Sequence, residues 1–384
     1  MKTRIQVIIK PMKEFLLAVA VLMSTIIGAG IFGLPYAGAQ SGFLIAAIFL
    51  FVLTGVIILL HLFYGKVISS TKEEHQLTGY IEHYLGKRAK NFIGLFAIIG
   101  FYGSLLVYMI IGGDFLSVAF SPFVSLPPVF FSSIIFVIGS VAIYFGLKLV
   151  SIWDFIINAI LITAVIILFF WGLGFIEISN LKTINLNKVV VPYGAIFYSL
   201  VGIAALPEVK RVFSIKNESK YTKAIIVGTI IPAIIYLLFI LVIVGLNGES
   251  TPQEAIRGLS GFLSKEIVLA GSIFGFLMVL SSFFSLGLAL KQTYIYDFKI
   301  NKNIAWILTC FVPFILLMFG LRDFIAIIGV MGAMIGVTEG TAIVLMYKKV
   351  IKPKSRTFNL VSSIIVLLLV LGFVYTIINA LVKH

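Results

Sequence analysis

Apolar residues dominate this chain in long blocks, and polar residues are confined to the short segments between them. Eleven blocks stand out, near residues 14–40, 43–65, 90–117, 128–147, 150–178, 191–213, 221–245, 266–297, 301–319, 322–347 and 358–382. A membrane-crossing helix needs about 20 consecutive apolar residues, so each block predicts one transmembrane helix. The narrowest divide lies between the fourth and fifth blocks, where Lys148 and a few neighbours intervene. The first block runs well past signal-peptide length without a cleavage pattern and reads as a retained span. Of the polar segments, Ser69 to Asn91 is the longest, and Thr78 to Gly86 within it reads as an amphipathic helix at the interface. Thr251 to Gly261 predicts a second short helical loop. Neither is large enough to form a domain.

Composition agrees with the pattern. The 384 residues are 61% hydrophobic and 11% charged, against about 45–50% and about 25% in soluble domains. Soluble and disordered classes are excluded, and no room is left for a soluble catalytic domain. The net charge of +14 does not point to nucleic acid, because the Lys and Arg residues alternate with the spans. Residues 1–13 form a basic tail, and the segments after spans two, four, six, eight and ten are also basic. Together they hold 23 of the 29 Lys and Arg, Lys148, Lys216 and Lys354 among them. The opposite side holds Lys182, Lys188, Arg257, Lys265, Arg322 and Lys383. The positive-inside rule then places the N-terminus in the cytoplasm and, after eleven spans, the C-terminus outside a multi-pass cell-membrane protein. The single cysteine, Cys310, lies within an apolar block and offers neither an internal disulfide nor a metal cluster.

Two spans are interrupted at corresponding places. Span one carries Gly30-Ile31-Phe32-Gly33-Leu34-Pro35 and span six Gly202-Ile203-Ala204-Ala205-Leu206-Pro207, a shared Gly-Ile-x-x-Leu-Pro at an offset of 172 residues. Gly costs about 1 kcal/mol in a helix and Pro about 3, so both spans are expected to break. In lipid, an unwound stretch survives only where it lines a cavity or is buried in protein. Paired interrupted spans point to the binding site of a secondary transporter. Each begins a run of five, residues 14–178 and 191–349, with span 358–382 additional. Five is odd, so the second run enters from the opposite side and the repeat is inverted. Gly28-Ala29-Gly30-Ile31-Phe32-Gly33 also spells a dinucleotide fingerprint, but no strand precedes it and no Asp or Glu follows before Glu73. No phosphate-binding loop and no Gly-x-Ser-x-Gly occur, so neither ATP drive nor an enzyme is indicated. A channel would call for filter carbonyls or charge rings, usually built by oligomer symmetry. One chain with an internal repeat makes its own site, and a monomer suffices.

At these residues the chain resembles the amino acid–polyamine–organocation superfamily, closest to its amino acid/auxin and hydroxy/aromatic amino acid permease branch. The specific matches are Ile27 to Pro35 in span one and Phe197 to Val209 in span six, ending Pro-Glu-Val. Tyr102 to Asp114 in span three and Ser281 to Leu288 in span eight are also similar. The resemblance implies an all-α membrane protein with broken first and sixth helices that carries amino acids by symport. The family often has a polar residue, commonly His, after the sixth-helix glycine, where this chain has Ile203.

The residues and the resemblance place the substrate at the breaks. Unwinding at Gly28, Ala29 and Gly30 frees N–H groups at the positive end of the outer half-helix, which attracts a carboxylate. Carbonyls at Ile26 and Ile27, and those of Ser199, Leu200 and Gly202 in span six, suit an ammonium or a sodium ion. A zwitterionic amino acid fits both ends. By resemblance Tyr108 closes over the carboxylate; packing is its alternative role. Ile27, Ser104, Ile203 and Phe283 are the side chains expected around the pocket. No acidic residue is expected there, so the substrate reads as a neutral amino acid, hydrophobic or small. Ser281 and Ser282 are candidate sodium ligands. By resemblance the carbonyls of Ser24, Ile27 and Met278 complete that site, while back-bonding to the preceding turn is the serines' other role. Proton-coupled relatives place a Lys in span five, which this chain lacks between Trp153 and Phe175. Sodium is therefore the expected coupling ion and a proton the alternative, with no other cofactor.

Of the ionisable residues in the apolar blocks, three stand out. Glu208 and Glu339 are candidate gate or proton groups, and His61 reads as a structural histidine. Gly332, Gly336 and Gly340 form a small-residue stripe for close helix packing. The charge alternation has a direct test. A Cys introduced at Ser219 is expected to label only from the cytoplasm and one at Gln253 only from outside; labelling of both from one face overturns the inverted topology.

Overall fold

The computed structural model describes residues 2–121, 123–146, 151–213, 218–296, 298–352 and 355–382, with only the backbone of 2–12, 151–155 and 382. Lys148, Lys216, Lys354 and Lys383 of the charge pattern lie outside the described residues. All regular structure described is helical. The first block forms α1 (Lys2–Ile26), a 3-10 turn at Ala29–Gly33 and α2 (Leu34–Ser41). Next come α3 (Phe43–Ser70), the amphipathic stretch α4 (Leu77–Leu85), α5 (Lys87–Phe120), α6 (Pro128–Phe145), α7 (Ser151–Gly172) and the short α8 (Ile178–Leu181). The sixth block forms α9 (Val191–Leu200), a 3-10 turn at Ile203–Ala205 and α10 (Leu206–Val212). There follow α11 (Glu218–Asn247), α12 (Lys265–Tyr296) and α13 (Lys302–Met318). The tenth block forms α14 (Phe324–Ile335), a π turn at Gly336–Gly340 and α15 (Thr341–Ile351); α16 (Arg356–Val382) ends the chain.

Among the described residues eight helical stretches are long and apolar enough to cross a membrane, and the pair α1 and α2, bent by 51°, makes a ninth. The fifth and ninth blocks give shorter apolar helices. The segment near 251–261 contains the 3-10 turn Ile256–Leu259, where a short helical loop was expected. Helix α8 has no counterpart in the hydropathy pattern; Asn180 Nδ2 donates to Gly245 O at 3.0 Å and ties it to the end of α11. Apolar side chains also face outward: Phe51, Phe123 and Phe319 are each at least 80% exposed. Such a surface is stable only against lipid, so the chain is a multi-pass membrane protein.

Packing positions the breaks at the centre. Helix α5 lies between α6 and α12, α14 packs along α9 and α5, and α11 packs along α1 and α3. The α9–α14 crossing brings backbones into contact, because a Cβ at Gly332 would strike the Gly194 carbonyl oxygen and lie 2.7 Å from Tyr198 N. Gly336 faces Phe197 and Leu369, and Gly340 faces Leu60 and Leu369. The expected glycine stripe is thus a packing stripe shared by three neighbours. On the basic face α4 is clamped by Lys90–Glu82 at 2.6 Å and by Lys349 Nζ donating to Tyr84 O at 2.8 Å. The Lys90 ammonium holds the Glu82 carboxyl below the ordinary carboxylate range.

The two breaks grip one another. A Cβ at Gly30 would collide with Ser199, whose Cα lies 3.2 Å from that position. A Cβ at Gly202 would meet Ile26 at 2.7 Å and Leu22 at 2.9 Å. Each glycine admits the last turn before the other break. Tyr236 of α11, fully buried, reaches both: its hydroxyl lies 2.9 Å from Ile26 O and 2.9 Å from Ser199 O. One hydroxyl proton is thus shared between the carbonyls that end α1 and α9. On the other side, Gly202 N donates to His61 Nε2 at 3.1 Å, and His61 Nδ1 lies 3.0 Å from Thr229 Oγ1. Thr229 already donates to Ile225 O at 2.8 Å, so it accepts from Nδ1–H. His61 is therefore a neutral imidazole that caps the sixth-helix break. It is structural, as expected, but its partner is a main-chain group that no sequence neighbour indicates.

Two outcomes follow from this packing. Tyr236→Phe removes one buried hydroxyl from two carbonyls and is expected to cost about 1–3 kcal/mol, read as a lower thermal midpoint of the purified protein. Gly332→Ala is expected to cost about 1–3 kcal/mol by overpacking. Gly271→Ala, where a Cβ meets nothing within 4 Å, is the neutral control.

Candidate functional site

A cavity of about 220 Å³ opens at the meeting of the two breaks. Its walls come from five places in the chain. The first break supplies Thr25, Ile26, Gly28, Ala29 and Gly30, and α5 supplies Ala97, Gly100, Phe101, Ser104 and Tyr108. The sixth helix supplies Tyr198, Ser199, Val201, Ile203 and Ala204; Leu286 comes from α12, and Ile335 and Glu339 from the tenth span. Gly28 is extended, with φ −129° and ψ −162°, and a Cβ there meets nothing within 4 Å. Its backbone thus faces open space, while Gly30 is filled by Ser199. The exposed wall residues are Thr25 and Ala204. Both lie on the side of their breaks that leads to the basic ends of α1 and α10, so the cavity opens toward the Lys- and Arg-rich face.

The polar wall is a chain of hydroxyls. Tyr198 Oη donates to Ser104 Oγ at 3.0 Å, and the Tyr108 hydroxyl lies beside those of Tyr198 and Ser282. The wall also carries the apolar Phe101, Ile203, Leu286 and Ile335. Such a wall offers hydrogen bonds at one end of a ligand and dispersion along the rest.

Eight of the residues expected from the sequence line this cavity: Ile26, Gly28, Ala29, Gly30, Ser104, Tyr108, Ser199 and Ile203. Ile27, Leu200 and Gly202 sit in the breaks but off the wall; the Ile27 N–H is spent on Met23 O at 2.8 Å. Phe283 is a correction. It is fully buried against Gly139 of α6, where a Cβ would strike its ring, because α12 packs against α6 as well as α5 and turns this residue toward α6. Glu339 is a second correction. No carboxylate was expected in the pocket, yet Glu339 is on its wall. Tyr198, Val201 and Phe101 are also new to the site. Tyr198 lies within the sixth-helix match, one residue before Ser199, and that adjacency was the only signal available.

None of the proposed sodium ligands lines the cavity. Ser24 Oγ donates to Ala20 O at 3.1 Å and Ser282 Oγ to Met278 O at 3.1 Å. Both hydroxyls therefore return to their own helices, and Met278 O is engaged. Ser281 is buried and also engaged. Elsewhere among the described residues, Glu73, His75 and His83 bring ligand atoms within 4.8 Å of one another on the loop before α4 and on α4 itself. Glu208 is exposed at the start of α10.

Comparison with known proteins gives a consistent result. The model of the tryptophan/tyrosine permease family matches residues 12–382. Comparison with curated protein sequences gives no significant match. Among solved structures, MhsT in complex with L-phenylalanine is similar with a TM-score of 0.65 and 17% identity, over 94% of this chain and 98% of that one. Mhp1 in an inward-facing conformation is similar with a TM-score of 0.69 and 13% identity, over 87% and 76%. The Eremococcus coleocola manganese transporter has a TM-score of 0.57 and 11% identity, over 94% and 93%. At these identities the likeness establishes a shared fold. With nearly its whole length matched by the family model, this chain belongs to the tryptophan/tyrosine permease family.

Proposed function

We propose that this protein is a secondary active transporter that carries aromatic amino acids of the tryptophan and tyrosine kind by alternating access. The observation that carries the reading is the cavity at the joint of two interrupted helices, in a member of this permease family. Phe101, Ile203, Leu286 and Ile335 suit an aromatic side chain. Ser104, Tyr108, Tyr198 and the main chain at Gly28–Gly30 suit a zwitterionic end. This narrows the neutral, hydrophobic or small substrate read from the sequence. The L-phenylalanine held by MhsT is a substrate of the same chemical kind.

The proposed topology is eleven spans with a cytoplasmic N-terminus and an external C-terminus, in two inverted runs of five plus one. The packing supports it. Exchanging the first five spans for the second five turns the α1–α11 pair into the α9–α3 pair. The same exchange turns α5–α6 into α12–α13, and all four pairs are packed together. For the driving ion, sodium held by Ser281, Ser282 and the carbonyls of Ser24, Ile27 and Met278 is the reading the sequence supplies. A proton is the second reading. It is favoured by the presence of Glu339 on the cavity wall and by the return of the Ser24 and Ser282 hydroxyls to their own helices.

The test is tryptophan and tyrosine binding and uptake by purified protein reconstituted in vesicles. Gly28→Leu places a side chain in the open space of the cavity at a backbone conformation any residue adopts. It is expected to stay folded and to weaken tryptophan binding by more than about tenfold, or about 1.4 kcal/mol. Unchanged tryptophan uptake by this variant sinks the site assignment. Gly30→Leu is a poorer test, because it strikes Ser199 with or without substrate. Replacing sodium with potassium abolishes accumulation if sodium drives it and leaves accumulation intact if a proton does.

A further inference from the structure

We propose that Glu339 is the site that takes up and releases the coupling proton; this rests on the transporter reading and deepens its proton-coupled form. The residue sits in the π turn Gly336–Gly340, which interrupts the tenth span between α14 and α15. A π turn widens a helix by one residue and loosens its hydrogen-bond ladder, and such turns recur at functional sites. This one brings a carboxylate to the wall of the substrate cavity. Glu339 is the only Asp, Glu, Lys, Arg or His among the described residues of that wall.

Its depth follows from the helix geometry. Gly332 is level with Gly194 and Tyr198 of α9. Glu339 is seven residues further along, about 10 Å at 1.5 Å per residue, on the side of the breaks where Val201 and Ala204 line the cavity. That side leads to the Lys- and Arg-rich face, toward which the cavity opens. A proton on Glu339 therefore exchanges with the basic-face compartment in this conformation.

Its surroundings suit a group that changes charge. From α5 the cavity wall offers Ala97, Gly100 and Phe101, none of them titratable, and from α16 the π turn meets Leu369. From α3, Tyr64 lies within electrostatic reach, and its buried hydroxyl has no hydrogen-bond partner among the described residues. The other titratable groups of the wall are Tyr108 and Tyr198, whose hydroxyls already serve one another and Ser104. Among the described residues Glu339 forms no ion pair. A carboxylate without a cation in an apolar wall is stable as the neutral acid. It ionises when water or a cationic group reaches it. Opening toward the basic face supplies that water, and closing removes it. Protonation forms one O–H bond on the Glu339 carboxylate as one O–H bond of a hydronium ion breaks, and release to water reverses both. The proton enters with the substrate on one face and leaves to water on the other.

The experiment uses the reconstituted full chain, no sodium, zero membrane potential and a pH difference of one unit. One proton per zwitterion supports about tenfold tryptophan accumulation under these conditions, since a tenfold ratio corresponds to about 1.4 kcal/mol. The wild type is expected to reach that ratio. Glu339→Gln is expected to stop near an equal concentration on both sides while still exchanging labelled for unlabelled tryptophan, with the pH dependence of exchange flattened. Glu339→Asp is expected to restore part of the accumulation. Tenfold accumulation by Glu339→Gln overturns the proposal. So does joint loss of exchange and accumulation in Glu339→Gln without rescue in Glu339→Asp, the pattern of a group that only shapes the cavity. Wild-type exchange without pH-driven accumulation overturns the proton while the substrate reading stands. Absence of wild-type tryptophan and tyrosine binding and exchange overturns the transporter reading itself.

Discussion

A main-chain carbonyl or N–H in an apolar interior must find a partner, because no water is there to supply one. Two helices interrupted at mid-membrane create several such orphans at once, and the centre of this protein is arranged around satisfying them. The Tyr236 hydroxyl lies between Ile26 O and Ser199 O, the carbonyls that close α1 and α9. His61 accepts from the Gly202 N–H that begins the next turn, and Thr229 fixes the imidazole's tautomer by donating elsewhere. With those partners in place, the interruptions are defined pieces of backbone rather than melted helix.

The same joint makes the cavity. Gly30 against Ser199 and Gly202 against Ile26 and Leu22 draw the two breaks together, leaving Gly28 to face empty space. The hydroxyls of Ser104, Tyr108 and Tyr198 and the apolar side chains of the wall then surround a volume that neither helix encloses alone. Helices α3 and α11 hold the joint from outside through His61 and through Tyr236 and Thr229. The tenth span bears on it from the other flank through the Gly332 contact. Movement of either flank therefore changes the partners of main-chain groups at the site, which is a physical route from helix motion to ligand affinity.

The tenth span shows how one stretch of residues serves two purposes. Gly332, Gly336 and Gly340 permit close approach to α9, α3 and α16, as a stripe of small residues is expected to do. The π turn between the last two of them carries Glu339, the one acidic or basic residue among the described residues of the cavity wall. Packing and chemistry are combined because a widened turn tolerates both close neighbours and an inward polar side chain.

The sequence by itself determined the class of protein and the places of the breaks. Both are local properties. Hydropathy sums over about 20 adjacent residues, and Gly and Pro act on the turn that contains them, so the helices begin and end near the edges of the apolar blocks, except that α1 already begins at Lys2. Glycine spacing likewise located Gly28, Ala29 and Gly30 on the wall. Tertiary structure decided the rest of the wall. Phe283 was expected at the pocket and faces Gly139, because the rotation of α12 is set by α6. Glu339 reaches the wall through a π turn that no residue type announces. Tyr236 meets Ile26 across 210 positions and His61 meets Gly202 across 141. Partners so far apart leave no periodicity in the sequence, since their pairing is fixed only when whole helices have packed.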